Sequence, residues 1–265
     1  MTYSEALRAL TELLKEAARE EARREAELIL SHCLHVGTGV RCAVPEKTLE
    51  EAKALARRRE TGEPLQYILG EWEFMGLPFT VGPGTLIPRP ETELLCELAL
   101  GEDLKGKRVL DLCCGSGCIG ISLNRLGGAE VTFSDISPAA LEYARKNAQI
   151  NSVEGIFLEG DLFEPVTGRF DLIAVNPPYL NASEMASRQK ELFFEPENAL
   201  FGGEDGLDFY RRLAAQAPER LEPGGRLLME IGCGQGTALK ALFTNCIIHK
   251  DLAGLDRVAE VRRSE

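Results

Sequence analysis

Asn176-Pro177-Pro178-Tyr179 stands where the apolar run Phe170-Asp171-Leu172-Ile173-Ala174-Val175 gives way to polar sequence. The run is short and rich in β-formers, which predicts a buried strand ending at the asparagine. Proline lacks an N–H and fixes φ, so two in succession stop the ladder and hold the chain stiff and extended. The Asn176 amide and the carbonyls beside it then form a rigid set of acceptors, with an aromatic ring three residues on. Such a set suits a planar NH2 group, held by its edge and covered by the ring. Taken alone, the tetrapeptide reads more simply as a strand-ending turn with a packed tyrosine.

A second candidate lies upstream. Gly115-x-Gly117-x-x-Gly120 matches the G-x-G-x-x-G fingerprint of nucleoside-binding loops, in which glycine lets backbone approach a ligand closely. Asp135, at the end of the next apolar run, is placed to take ribose hydroxyls. The loop alone fits nicotinamide cofactors and S-adenosylmethionine equally. Three features favour the latter. Asp111, just before the loop, suits the cationic methionine end, or else caps its own loop. Asp161 is placed to meet an adenine amino group, or else is an exposed turn residue. Asn176 to Tyr179 has no use in hydride transfer but has one in methyl transfer to an amide or amino nitrogen.

These residues must be positioned by regular elements. Leu7, Leu10, Leu14 and Ala17 recur at helical spacing, and a second helix is expected over about 21–34. A third is expected from Thr48, with Glu51 completing a capping box, through Arg57-Arg58-Arg59 in a solvated last turn. Alternation of Trp72, Phe74, Leu77, Phe79 and Val81 about Gly76 predicts a β-hairpin within 66–81. A helix is expected near Glu91. Beyond Arg108, strands are expected at 109–112, 131–135, 155–158, 170–175 and 226–231, and two more between Ile247 and Val261. Helices are expected over 139–150, 207–217 and 237–243, the first with Ser137 as N-cap and Pro138 at N1. Strand and helix in alternation predict a doubly wound α/β sheet, in which ligands sit beyond the carboxyl ends of the strands. Asp111, the Gly115 loop, Asp135, Asp161 and Asn176 all fall at or near such ends.

Composition narrows the partners. The chain has 265 residues, 44% hydrophobic and 27% charged, as in ordinary globular proteins. No apolar run approaches a membrane span, and the charged first segment resembles neither a signal nor a transit peptide, which implies a cytoplasmic protein. The eight cysteines show no metal-ligand spacing and read as thiols in a reducing compartment. Residues 1–60 carry 11 basic and 11 acidic side chains, so the whole net charge of −12 falls on the remainder. That balance disfavours extended nucleic-acid binding.

Asn176-Pro177-Pro178-Tyr179 occurs also in DNA and RNA amino-methyltransferases. Here it is accompanied by Ile87-Pro88-Arg89-Pro90-Glu91-Thr92-Glu93, Phe194-Glu195-Pro196-Glu197-Asn198-Ala199-Leu200, Asp251-Leu252-Ala253-Gly254-Leu255-Asp256-Arg257 and Pro64-Leu65-Gln66-Tyr67-Ile68-Leu69-Gly70. With these blocks the chain resembles, over nearly its whole length, the release-factor glutamine methyltransferases of the HemK/PrmC type. The resemblance implies methylation of the glutamine side-chain amide in the Gly-Gly-Gln motif of class I peptide chain release factors. It implies a helical N-terminal domain (1–65), a β-hairpin linker (66–86) and a Rossmann-like, seven-stranded methyltransferase domain (87–265), acting as a monomer. S-adenosylmethionine would lie on Asp111, Cys113, Cys114, Gly115, Ser116 and Gly117, with Asp135 on the ribose, Asp161 and Leu162 near adenine, and Asn176 facing both ligands; the product is S-adenosylhomocysteine. Asn176, Pro177, Pro178 and Tyr179 would hold the substrate glutamine, with Asn176, Pro177 and Tyr179 catalytic. Relatives often carry Gly-Thr-Gly-Thr-Gly in place of Cys113 to Gly117, and some an aromatic residue in place of Leu162. The competing readings are an adenine or cytosine amino-methyltransferase, a nicotinamide dehydrogenase and a non-catalytic binding module.

Overall fold

A computed structural model describes residues 1–264. The chain forms two compact units: Met1–Glu71 with Gln189–Phe194, and Trp72–Arg188 with the chain from Glu195 onward.

The first unit is helical. Helices α1 (Tyr3–Ala18), α2 (Ala22–Leu34) and α3 (Glu46–Glu60), with the short α4 (Leu65–Leu69), bury Leu10, Leu14, Ile29, Leu30 and Ala56 against one another. Three expectations change here. Helix α3 begins at Glu46, two residues before Thr48, because the extended Pro45 already serves as its N-cap. The capping box forms instead at α1, where Thr2 and Glu5 satisfy each other's backbone N–H. The last turn of α3 is also not wholly solvated. Arg57 and Arg58 are exposed, but Arg59 is buried, its guanidinium held by Glu25 (2.9 Å) and Glu191 (3.0 Å). A buried guanidinium needs such carboxylates to offset its lost hydration.

The hairpin strands β1 (Glu71–Phe74), which begins on the last residue of the first stretch, and β2 (Leu77–Thr80) lead into the second unit and are followed by α5 (Pro90–Leu100), where Pro90 occupies the first turn. Then strand and helix alternate: β3 (Arg108–Leu112), α6 (Cys118–Gly127), β4 (Glu130–Asp135), α7 (Pro138–Ile150), β5 (Gly155–Glu159) and β6 (Phe170–Val175). The short α8 (Ala182–Ala186), α9 (Asp208–Arg220), β7 (Leu221–Glu230), α10 (Gly236–Leu242), β8 (Ile247–Lys250) and β9 (Asp256–Arg262) complete it. The seven strands run in the order β5-β4-β3-β6-β7-β9-β8. All pairings from β5 to β7 are parallel, and β9 runs antiparallel to both its neighbours.

The period-two alternation of each strand divides the core. In β6, Leu172 and Ala174 join the layer beneath α5, α6 and α7, whereas Ile173 and Val175 join the layer containing Tyr210, Leu213 and Leu239. Such continuous apolar runs are what a parallel sheet covered on both faces requires. Strand order reverses between β3 and β6, which opens a crevice at their carboxyl ends.

Asn147 of α7 ties the hairpin to the glycine loop. Its Oδ1 accepts from Thr80 N (2.7 Å), and its Nδ2 donates to Thr80 O (3.0 Å) and Ser116 O (2.9 Å). No helix among the described residues is long and apolar enough to cross a membrane.

Candidate active site

A cavity of about 230 Å³ lies at this switch point, within the second unit. Its floor is Cys113, Gly115 and Asp135; Asp161 and Leu162 flank it, and Asn176 and Pro178 close one side. Leu86, Ile136, Ala140 and Phe209 add apolar walls.

The glycine loop is shaped by contacts to two acids. Gly115 N donates to Asp135 Oδ2 (2.8 Å), and Ser137 N donates to Asp135 Oδ1 (2.9 Å). Burial pushes the Asp135 carboxyl above the usual aspartate range, opposed by these backbone donors. Asp111 is fully buried, and its Oδ2 accepts from Gly120 N at 2.8 Å at the start of α6. Burial drives its carboxyl well above the ordinary range, while Oδ1 takes no hydrogen bond among the described residues. The loop can pack so closely because residue 120 has no side chain. A Cβ there would stand 2.5 Å from Phe133 Cε1. Two non-glycine residues of the cavity wall, Cys113 (φ 55°) and Leu162 (φ 49°), adopt left-handed backbone. Each such residue costs on the order of 1–3 kcal/mol, held by the packing around it.

Not every residue named from the sequence reaches the cavity. Asp111, Cys114, Ser116 and Gly117 lie outside its lining, because the loop turns its backbone inward and buries these positions beneath itself. Pro177 and Tyr179 also lie outside it. The strand turn directs Asn176 and Pro178 to the cavity and leaves Pro177 buried and Tyr179 half-buried.

Asn176 and Tyr179 are linked through a buried pair, Thr92 and Glu230, that carries no local sequence signal. Asn176 Nδ2 donates to Thr92 Oγ1 (3.3 Å), Thr92 Oγ1 donates to Glu230 Oε2 (2.6 Å), and Tyr179 Oη donates to Glu230 Oε1 (3.2 Å). Glu230 is 1% exposed at the carboxyl end of β7, and burial raises its carboxyl above the usual glutamate range. Tyr210 Oη fixes the Glu230 carbonyl at 2.8 Å. Asn176 Oδ1 takes no hydrogen bond among the described residues, and the side chain borders the cavity.

Arg212 was missed for a different reason: on α9 it reads as a solvated helix face. It pairs with Asp161 at 2.7 Å on the cavity wall, so Asp161 is not a free turn residue. Glu195 accepts from Ile87 N (3.0 Å) and from Arg89, which fastens Pro196, Asn198 and Ala199 to the cavity's outer wall. Residue 202 lies so near the turn that a Cβ there would meet Pro178 O at 2.7 Å, so glycine is required.

This architecture occurs in known proteins. Residues 90–204 match the methyltransferase small domain and residues 5–70 the PrmC N-terminal domain. A methyltransferase from Pyrococcus furiosus superposes with TM-score 0.56 at 17% identity, covering 72% of this chain and 91% of that one. The Thermus thermophilus 16S rRNA N2 G1207 methyltransferase, solved with AdoMet and guanosine, superposes with TM-score 0.54 at 23% identity, covering 73% and 49%. At those identities the likeness establishes the fold. Sequence relatives are closer. The release factor glutamine methyltransferase of Geobacter sulfurreducens is 42% identical over 258 residues, spanning 92% of this chain and 91% of its own. That of Koribacter versatilis is 40% identical over 278 residues, spanning 99% of both. With identity of this extent along nearly the full length of both proteins, the chain belongs to the release factor glutamine methyltransferase family.

Proposed function

We propose that the chain transfers a methyl group from S-adenosylmethionine to the side-chain amide nitrogen of the glutamine in the Gly-Gly-Gln motif of class I peptide chain release factors. The observation that carries this reading is Asn176 Oδ1, an acceptor without a partner among the described residues, at the edge of a cavity floored by Asp135.

The residues present fit the cofactor. Asp135 offers carboxylate acceptors for ribose hydroxyls, and Asp161 with Leu162 forms a slot of mixed polarity suited to adenine. Asp111 contributes from beneath the loop, shaping it through Gly120 rather than touching the ligand. Cys113 and Gly115 present the loop to the cavity, and Cys114, Ser116 and Gly117 hold it in shape.

When bound, S-adenosylmethionine supplies an electrophilic methyl on a sulfonium centre. The chain's part is to position a poor nucleophile. Asn176 Oδ1 and the Pro177 carbonyl accept the two N–H bonds of the glutamine amide. That fixes the NH2 in the direction of attack and favours the positive charge that grows on nitrogen. Pro178 keeps the turn rigid, and the Tyr179 ring packs on the amide face. Methyl transfer would leave the amide nitrogen with one proton in excess, which solvent can take; no side chain is assigned as a general base.

In this reading residues 1–65 are the helical part and the candidate contact for the release factor, 66–86 the hairpin linker and 87–265 the catalytic part. The enzyme acts as a cytoplasmic monomer. An adenine or cytosine substrate would require a grip on phosphates, against which stands a net charge of −12. Mass spectrometry of a release factor and of duplex DNA and RNA, each incubated with enzyme and cofactor, tests the reading. A gain of one methyl on the Gly-Gly-Gln glutamine is expected. Methylation of the nucleic acids with an unmodified release factor would overturn it.

A further inference from the structure

We infer that Thr92 and Glu230 are positioning residues that fix which face of the Asn176 amide meets the substrate. The inference rests on the reading of Asn176 given above.

Donors and acceptors fix the direction of this hydrogen-bonded chain. An ionised carboxylate only accepts, and the hydroxyls of Thr92 and Tyr179 together with the charge of Arg257 favour that form of Glu230 against its burial. Glu230 therefore requires protons from both neighbours, and receives them from Thr92 Oγ1 (2.6 Å) and Tyr179 Oη (3.2 Å). A hydroxyl has a single proton, so Thr92, having donated it, has only lone pairs left to offer Asn176. Asn176 must then turn its NH2 toward Thr92, as the 3.3 Å contact shows, and its oxygen away. Reversed, Asn176 would present NH2 to the NH2 of a glutamine, donor facing donor, and the amide would not be held.

The arrangement is built for this use. Thr92 lies in the first turn of α5 and Glu230 at the carboxyl end of β7, 138 positions apart, and both are almost wholly buried. One carboxylate sets the polarity of Thr92 and the angle of the Tyr179 ring together, and low surrounding polarity strengthens such chains. Burial of a carboxyl carries a cost, which the two hydroxyl donors offset.

The test compares Thr92→Val, which keeps shape and removes the hydroxyl, with Thr92→Ser, which keeps the hydroxyl. Turnover is measured at saturating cofactor and release factor, and S-adenosylhomocysteine affinity by calorimetry. Thr92→Val is expected to lower kcat by about 30-fold or more with cofactor affinity within about threefold, and Thr92→Ser to recover kcat to within about fivefold of wild type. Glu230→Gln is expected to lose kcat similarly, since an amide accepts through only one atom, and it carries the test if Thr92→Val does not fold. Near-wild-type kcat in Thr92→Val or Glu230→Gln, or parallel loss of kcat and cofactor affinity, overturns the inference. Asn176→Ala separates the two readings. If that variant is inactive while Thr92→Val turns over normally, only the positioning role falls; if it is active, the role of Asn176 falls first.

Discussion

Arg89 and Glu195 form an ion pair across 106 positions of sequence, and the same carboxylate accepts from Ile87 N. The pair joins the Ile87–Glu93 segment to the Phe194–Leu200 segment, and so fixes one wall of the cavity to the helix that carries Thr92. Glu195 is buried, its side chain 1% exposed, whereas that of Arg89 is 30% exposed.

Glu195→Ala leaves a buried N–H unpaired and a guanidinium only partly compensated by water. The expected loss of stability is about 2 kcal/mol, less than for a fully buried pair because Arg89 reaches solvent. Urea unfolding measures it. S-adenosylhomocysteine affinity should fall about tenfold, because Pro196, Asn198 and Ala199 lose their anchor.

Asn176→Ala should reduce methylation by at least about 100-fold, the range seen when a positioned polar group at a reaction centre is removed. Cofactor affinity should change by no more than about threefold, since Asp135 and Asp161 remain. Labelled-methyl transfer and calorimetry together decide it, and near-normal turnover would sink the proposed mechanism.

The Asp161–Arg212 pair is 35% and 39% exposed, which limits its value to folding to less than about 1 kcal/mol. Asp161→Ala should therefore leave the urea midpoint nearly unchanged. It should raise the cofactor Kd by about tenfold while kcat at saturating cofactor stays within about threefold. A fall in kcat with an unaltered Kd would move Asp161 out of the cofactor site.

Asp111 makes a pH-dependent contribution to stability. Burial holds its folded carboxyl well above the ordinary aspartate range, so the unfolded chain gives up the proton first as pH rises. Stability from this group is greatest in acid, falls as pH climbs from the ordinary value to the raised one, and stays low above it. Asp111→Asn removes the ionisation. The variant should be more stable than wild type by about 1 kcal/mol at about pH 8, with the difference shrinking toward acid. A pH-independent difference in urea unfolding would contradict this account.

The acids at the strand ends were legible because each follows an apolar run, and Asn176 because two prolines mark the stop. Thr92 and Glu230 were not. A glutamate closing the run Arg226–Ile231 looks like an ordinary strand end, and a threonine in a first helical turn looks like part of a cap. Their meeting depends on α5 crossing the end of β7, a tertiary fact with no local signal. Arg59 and Arg212 share one difficulty: long cations at helical spacing look solvated until the fold supplies carboxylates. Helix α3 starts two residues before the capping pattern at Thr48, because Pro45, with its fixed φ, leads the chain into the helix without a side-chain cap.

The bridge from Asn147 to Thr80 and Ser116 couples the hairpin mechanically to the glycine loop. Trp72, the sole tryptophan, sits half-buried on the hairpin strand β1, whose partner strand Asn147 fastens to the glycine loop. Rearrangement of that loop on ligand capture should shift the indole emission, so binding can be followed in the unlabelled protein, and Asn147→Ala should uncouple the signal without removing the fluorophore.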